Sequence, residues 1–255
     1  TRADAPFHGA PTVAGGRLYA VTNDSELVAL DAATGAVQWT YQAIAEPARI
    51  LAASSPAVDG DSVIAPFASG EVVALLAANG RRLWVDSLSR SGSLTSLSAI
   101  NDIAGRPAVD NGVVYAASHS GVLAAIDMRT GSRIWARSFA STQTPWIAGD
   151  VLYALSVDGE LAAFDRTSGD VYWVTQLRRY EEEGDRSGRI AWTGPVMVGG
   201  KLIVANSIGE VAAIAPENGQ VSVTRDVGGP VFIPPIAAGG SIYLVTDEAR
   251  LVVLR

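Results

Sequence analysis

One strand–turn–strand pattern recurs along the chain and constrains its fold more than any other feature. The pattern runs from Gly121 to Trp135: a largely apolar strand, a tight turn at Thr130-Gly131, and a second strand that reaches the tryptophan. Close copies occupy residues 26–39 and 160–173, and weaker copies occupy residues 71–84 and 210–223. Recurrence at this spacing indicates a repeat protein built from antiparallel strands.

Each copy is preceded by two further predicted strands. A unit begins at a proline, continues through a short strand and a Gly-rich turn, and then forms a second strand. The units start near residues 11, 56, 107, 145, 195 and 235. Four antiparallel strands at a period of about 40 to 50 residues are typical of a β-propeller blade. A β-sandwich does not repeat the turn, Asp and Trp at matching offsets, and ankyrin or leucine-rich repeats are shorter and contain helices. The predicted fold is an all-β propeller.

The blade count predicts part of a larger ring. The sixth unit stops at Arg255 after its third strand, so residues 1–255 supply five blades and three further strands of a single β-propeller domain. Propellers usually close when a strand from the other terminus completes the last blade, and the polar segment 1–10 is a poor candidate for that strand. We therefore expect the missing N-terminal blades to precede Thr1.

The residues repeated in every good copy have a structural explanation. The tryptophan can fill the gap between neighbouring sheets and donate its indole N–H to a backbone carbonyl. The aspartate, four residues before the turn glycine, can accept backbone N–H bonds that hold the turn. Residues that perform chemistry once are not copied into each blade, so we interpret this set as structural: Asp31, Gly35, Trp39, Gly80, Trp84, Asp127, Gly131, Trp135, Asp165, Gly169 and Trp173.

Composition excludes several classes of function. The chain has no cysteine, which excludes thiolate metal sites, disulfides and a cysteine nucleophile. Its net charge of -7 argues against a nucleic-acid partner. His8 and His119 are the two histidines, and His119 is expected to be a solvated turn residue. Neither has metal-ligand spacing, and no nucleophile elbow or phosphate loop is present. We predict a binding module without catalytic, cofactor or metal residues.

Three connections between units are long. The turn glycines are spaced by 45, 51, 38 and 50 residues, which places the extra residues in segments 44–55, 89–106 and 178–189. Function in repeat proteins is usually found in loops where the repeat is broken. The third segment carries charges of both signs, so we expect it to be a solvated, flexible loop.

The first two connections combine apolar and charged residues, as protein-binding patches do. The candidate partner-binding residues are Arg49, Ile50, Leu51, Asp102 and Arg106. A second interpretation remains open: Ile50, Leu51 and Ile103 could instead pack under the ring as a small apolar cluster.

The signature Ala-x-Asp-x-x-Thr-Gly-x-x-x-Trp, at residues 29–39 and 125–135, resembles the repeat of eight-bladed quinoprotein (PQQ-type) propellers. Within that superfamily nearly the whole chain resembles the BamB (YfgL) family, lipoproteins of the outer-membrane β-barrel assembly machine. This closer resemblance is carried by residues 101–115 running into the 121–135 repeat, by the link 144–150, and by the C-terminal segment 251–255. The charged segment 178–189 is similar to BamB-like proteins of alphaproteobacteria.

The resemblance implies a non-enzymatic scaffold on the periplasmic face of the outer membrane of a Gram-negative bacterium, tethered by an N-terminal lipid anchor that would precede Thr1. Its implied partners are the POTRA domains of BamA, other subunits of the BAM complex and unfolded outer-membrane proteins. In this family the BamA contacts lie on two neighbouring loops. The first corresponds to Arg49, Ile50 and Leu51, with the arginine and an apolar residue exchanged. In the second, Asp102 matches the first aspartate of an Asp-x-Asp segment, and Ala104 replaces the second.

Two other functions remain open from the sequence. A PQQ-dependent dehydrogenase has a similar repeat but needs Ca²⁺ ligands, a catalytic aspartate and usually an adjacent cysteine pair. A periplasmic ligand-binding or sensor propeller is the other alternative.

Overall fold

The computed structural model describes residues 5–7, 9–44, 55–89 and 102–255. These residues form strands and turns without a helix, so the described part of the chain has no helix that could cross a membrane. The chain divides into two compact units, Thr1–Thr142 and Gln143–Arg255, which are described in turn. The prediction of one domain over residues 1–255 stays a prediction.

The first unit contains three four-stranded antiparallel sheets, in each of which spatial order follows chain order. Sheet 1 is β1 (Thr12–Ala14), β2 (Arg17–Val21), β3 (Glu26–Asp31) and β4 (Val37–Gln42). Sheet 2 is β5 (Ala57–Asp59), β6 (Ser62–Pro66), β7 (Glu71–Leu76) and β8 (Arg82–Ser87). Sheet 3 is β9 (Ala108–Asp110), β10 (Val113–Ala117), β11 (Val122–Asp127) and β12 (Arg133–Ser138).

The second unit contains two four-stranded sheets, a three-stranded sheet and a separate hairpin. Sheet 4 is β13 (Trp146–Ala148), β14 (Val151–Leu155), β15 (Glu160–Asp165) and β16 (Val171–Gln176). The hairpin is β17 (Tyr180–Glu182) and β18 (Ser187–Arg189). Sheet 5 is β19 (Trp192–Val198), β20 (Lys201–Asn206), β21 (Glu210–Ile214) and β22 (Val221–Asp226). Sheet 6 is β23 (Ile236–Ala238), β24 (Ser241–Val245) and β25 (Leu251–Leu254).

Each predicted unit corresponds to one sheet, and the sixth unit has three strands, as predicted. The described part of the segment 1–10 forms only an isolated bridge between Phe7 and Thr22.

The prediction of a flexible loop at 178–189 is wrong, because this segment contains the hairpin β17–β18. Tyr180 pairs with Arg189, and the Asp158 carboxylate accepts hydrogen bonds from Arg179 (3.1 Å) and Arg189 (2.8 Å). Arg179 and Arg189 at the base of the hairpin are thus both held by Asp158 of the β14–β15 turn, and these three side chains remain 40–57% exposed. Residues 181–189 are also exposed, as expected.

Within each unit, consecutive sheets pack face to face, so the central strands of the middle sheet, sheet 2 in the first unit and sheet 5 in the second, are covered on both sides. Val63, Ile64, Val72 and Val73 of β6 and β7, for example, are fully buried. Apolar clusters fill the spaces between sheets 1 and 2, 2 and 3, 4 and 5, and 5 and 6. Burial on both faces explains why these strands are continuous apolar runs instead of alternating ones.

The repeated tryptophans join neighbouring sheets as predicted. Their indole N–H groups donate to backbone carbonyls of the following sheet: Trp39 to Ala77 (3.0 Å), Trp84 to Met128 (2.7 Å), and Trp173 to Pro216 (2.9 Å). The ring of Trp135 packs against that of Tyr115 in a tilted arrangement, with a centroid distance of 6.0 Å. Its indole hydrogen bond stays a prediction.

The repeated aspartates hold the turns as predicted. Asp127 Oδ1 accepts the N–H groups of Arg129 (3.1 Å) and Thr130 (2.7 Å) and the Thr130 hydroxyl (2.7 Å). The hydroxyl and backbone bonds from Thr130 lower the pKa of Asp127. Asp31 and Asp165 accept the same pair of backbone bonds. The turn glycines have left-handed φ angles of 71° to 74°: Gly35, Gly80, Gly131, Gly169 and Gly219.

Candidate interaction site

The two connections that carry the predicted partner contacts leave the sheets at the same end of the first unit. After β4, Ala43 N donates to Ser25 O (3.0 Å), and after β8, Leu88 N donates to Gly70 O (2.7 Å). Each acceptor lies in the turn between the second and third strands of its own sheet, Ser25 in sheet 1 and Gly70 in sheet 2. We call this end, with its turns and the starts of the connections, the connection end.

The structure describes part of the predicted site. Arg49, Ile50 and Leu51 lie outside the described residues. Asp102 is 3% exposed, and its backbone oxygen accepts the N–H of His119 at 2.9 Å. Arg106 is exposed.

The segment 102–104 docks into the connection end. Ile103 is fully buried, donates its N–H to Phe67 O at 3.4 Å, and belongs to the cluster between sheets 2 and 3. The packing interpretation of the apolar loop residues therefore holds for Ile103. Ala104 is buried as well. Because Asp102 is buried, it contributes to the position of this segment, whereas Arg106 is accessible to a partner.

Sequence reasoning missed the residues that fix the start of the second connection. The hydroxyls of Ser118 (2.8 Å) and Ser120 (3.1 Å) donate to Leu88 O, which ties sheet 3 to the last residue before the connection. Ser118 Oγ also accepts the N–H of Val122 at 3.2 Å. The same contact to the residue four positions later recurs in four other sheets through Thr22, Ser156, Asn206 and Thr246. The sequence does contain a signal for these residues: in each sheet except sheet 2, a polar residue stands at the end of the second strand.

The expectation that His119 is a solvated turn residue is wrong. The residue is half-buried, and its Nδ1 is buried without a hydrogen-bond partner among the described residues. The cause is the docked segment, because Asp102 O covers the turn in which His119 lies. Among the described residues, no three His, Asp or Glu side chains are grouped as a metal site requires.

Comparison with known proteins assigns the chain to a family. A family model described as "Outer membrane protein assembly factor BamB" matches residues 1–175 and 177–255. The chain belongs to the BamB family. This confirms the resemblance inferred from the repeat, and the family is one of assembly factors, not of enzymes.

Several relatives in the BamB family carry the same name. A protein of Moranella endobia is 25% identical over 251 residues, covering 94% of this chain and 60% of its own length. A protein of Alkalilimnicola ehrlichii is 30% identical over 204 residues, covering 79% of this chain and 51% of its own length. The chain thus spans between half and three fifths of the length of these two relatives.

Solved structures confirm the β-propeller fold class. BamB from Moraxella catarrhalis aligns with a TM-score of 0.88 at 23% identity, covering 99% of this chain and 73% of that structure. A quinohemoprotein alcohol dehydrogenase from Comamonas testosteroni aligns with a TM-score of 0.66 at 18% identity, covering 98% of this chain and 46% of that structure. At these identities the likeness concerns the fold alone, so the dehydrogenase indicates shared PQQ-like architecture and not shared chemistry.

Proposed function

We propose that this chain is the propeller scaffold of an outer-membrane protein assembly factor, acting without chemistry of its own at the periplasmic face of the outer membrane. The observation that carries the proposal is the match of the BamB family model to 254 of the 255 residues. The names of the relatives support the same role.

The proposed partners are the POTRA domains of BamA and, through them, the other BAM subunits and unfolded outer-membrane proteins. Propeller scaffolds bind through loops held by a rigid framework. The connection end provides such a framework, because the residues that precede the first two long connections, Ala43 and Leu88, are hydrogen-bonded to turns there.

The proposed contacts are the exposed residue Arg106 and the predicted segment Arg49, Ile50 and Leu51, which lies outside the described residues. Arginine and large apolar residues are the side chains that most often dominate binding energy at interfaces. Asp102 has a positioning role in the proposal. Its backbone oxygen holds the His119 turn, and its burial sets the point from which Arg106 emerges.

The test is calorimetric titration of the chain with the periplasmic POTRA domains of BamA from the same organism. We compare the unaltered chain with Leu51→Ala and Arg106→Glu. Arg129→Glu is the matched control, since Arg129 is exposed on the β11–β12 turn, beside Gly112 and therefore at the other end of sheet 3.

We expect both site variants to weaken binding by about tenfold or more, the usual effect of losing an interface anchor, and the control to bind as the unaltered chain does. Equal weakening by Arg106→Glu and Arg129→Glu would show a general charge effect and remove the connection end from the proposal. Absence of any binding heat would refute the partner itself.

A further inference from the structure

The second unit has an aromatic groove between sheets 4 and 5 that the assembly role does not explain. The groove has a volume of about 480 Å³ and is lined by Val151, Tyr153, Tyr172, Trp173, Pro216 and Glu217. It lies at the end of these sheets where the turn after β21 meets the start of β14 and the outer strand β16. We call it the aromatic groove.

The walls of the aromatic groove are held in place before any ligand binds. Tyr172 is 57% exposed, yet its hydroxyl donates to Asp165 Oδ2 at 2.7 Å. Trp173 Nε1 and the Tyr153 hydroxyl both donate to Pro216 O, at 2.9 and 3.3 Å. The ring of Tyr153 also packs against that of Trp173 in a tilted arrangement, with a centroid distance of 5.9 Å. A preformed wall lowers the ordering cost of binding.

Between sheets 1 and 2, Tyr19 and Trp39 repeat the Tyr153–Trp173 pair and its bonds to one carbonyl, at Ala77, but the other groove residues differ in the first unit. Taking each tryptophan and its carbonyl acceptor as equivalent points, the counterparts of Tyr172, Pro216 and Glu217 are Gln38, Ala77 and Ala78 between sheets 1 and 2, and Leu83, Met128 and Arg129 between sheets 2 and 3. The groove between sheets 2 and 3 is lined by Leu83, Met128 and Arg129. The combination of aromatic side chains, proline and acid is therefore not needed to join two sheets, and departures from a repeat are where function is expected.

Negative charge surrounds the aromatic groove. Glu217 is part of its lining, and Asp165 contacts Tyr172 directly. The charges of Asp150 and Asp170 also act on Tyr172 and, after the hydrogen bond to Asp165, help to raise its pKa. One cation, Arg166, lies on the adjoining turn and donates Nη1–H to Gly149 O at 3.0 Å.

We propose that the aromatic groove binds an extended, proline-containing segment of a protein partner in which an arginine or lysine flanks the proline. Proline rings pack against the faces of tyrosine and tryptophan, and a polyproline II segment brings little conformational entropy to lose. The acidic rim, led by Glu217, selects the basic flanking residue by charge complementarity. The groove belongs to the second unit and does not rest on the proposed assembly role, so failure of either proposal leaves the other standing.

The test uses the full chain and a fluorescein-labelled octapeptide with three consecutive prolines between two arginines, followed by fluorescence anisotropy. One control peptide replaces the prolines by alanine, and another replaces the arginines by glutamate. Tyr172→Leu gives the aromatic groove the residue found at the matching position of sheet 2. Val174→Ala is the control variant, since Val174 is equally exposed on the same face of β16 but does not line the groove.

We expect the proline–arginine peptide to bind the unaltered chain and Val174→Ala alike. We expect Tyr172→Leu, and Glu217→Lys as a second variant, to weaken binding by about tenfold. Each control peptide should bind at least about tenfold more weakly than the probe. The ¹H–¹⁵N resonance of the Trp173 indole, assigned with Trp173→Phe, should shift on addition of the probe.

Absence of binding at about 1 mM peptide, near the weakest specific affinities, would overturn the proposal. Equal binding of the alanine-for-proline peptide would overturn it as well, because it would show general adhesion to exposed apolar strands. Equal binding by Tyr172→Leu and the unaltered chain would place the peptide elsewhere and refute the site.

Discussion

Two glycine-to-alanine substitutions separate the two reasons why glycine occupies the blade turns. Gly131 and Gly112 have nearly the same left-handed backbone, with φ of 74° and 75°. A Cβ on Gly131 would lie 2.6 Å from Cγ and 2.7 Å from Cβ of Trp84, whereas a Cβ on Gly112 would have nothing within 4 Å. Gly112→Ala therefore tests backbone conformation alone, and Gly131→Ala adds the contact with the preceding sheet.

The expected losses in the free energy of unfolding follow from two contributions, the left-handed backbone and the contact with Trp84. A left-handed backbone costs an L-residue about 1–2 kcal/mol, and both variants bear this cost. Gly131→Ala adds about 1–3 kcal/mol of overpacking, because Cβ of Trp84 moves only if β8 moves. Displacement of Trp84 also strains the hydrogen bond from its indole to Met128 O. We expect a loss of about 2–5 kcal/mol for Gly131→Ala against about 1–2 kcal/mol for Gly112→Ala.

The assay is equilibrium urea denaturation, followed by tryptophan fluorescence and far-UV circular dichroism, with midpoints compared at constant slope. A double variant, Gly131→Ala with Trp84→Gly, provides the decisive control. Removal of Cβ, Cγ and the indole of Trp84 should relieve the overlap, so the two losses should add up to more than the loss of the double variant. Equal midpoints for Gly112→Ala and Gly131→Ala would refute the reasoning, and so would strict additivity in the double variant.

Three further predictions concern the second unit. Trp173→Phe should lower the free energy of unfolding by about 1 kcal/mol through loss of the bond to Pro216 O, measured by urea denaturation; no loss would show that the bond is not stabilising. The hydrogen bond from Tyr172, with two backbone N–H bonds, lowers the pKa of Asp165 to about 2. Its contribution to stability is therefore complete above the unfolded pKa of 3.8 and is lost as the pH falls towards about 2. Tyr172→Phe should raise this pKa in a carboxyl NMR titration, with the pKa of Asp31 as the internal reference; an unchanged Asp165 would contradict the assigned cause. Asp158→Asn should speed amide exchange in β17–β18 with little change in global stability, because exposed ion pairs contribute about 0–1 kcal/mol; unchanged exchange would refute anchoring by this carboxylate.

The strands and turns were accessible from the sequence because their causes are local. The turn at Asp127, Thr130 and Gly131 is closed by hydrogen bonds between residues at most five positions apart. The same spacing at Asp31 and Asp165 produced the same turn, so the repeat could be recognised from the residue types and their spacing in the sequence. The tryptophan bonds were also predictable, since a residue repeated in successive blades must have a repeated environment.

The candidate site was less accessible because its residues depend on packing between segments distant in the chain. Asp102 and Ile103 look like loop residues in the sequence. They are buried because the segment docks beside Phe67 and His119, which belong to two different sheets. The hairpin β17–β18 was mistaken for a flexible loop for a related reason. The pairing of Arg179 and Arg189 with Asp158 joins charges more than twenty residues apart.

The sequence alone therefore determined the all-β repeat, the strand order, the turn chemistry and membership of the BamB family. These properties depend on the spacing of residues close together in the chain, and each unit repeats that spacing. The tertiary structure alone decided which loop residues are buried, which remain accessible, and where aromatic and acidic side chains form a groove. Burial and charge pairing depend on which sheets become neighbours. The local sequence around a residue does not show which distant residues it will contact.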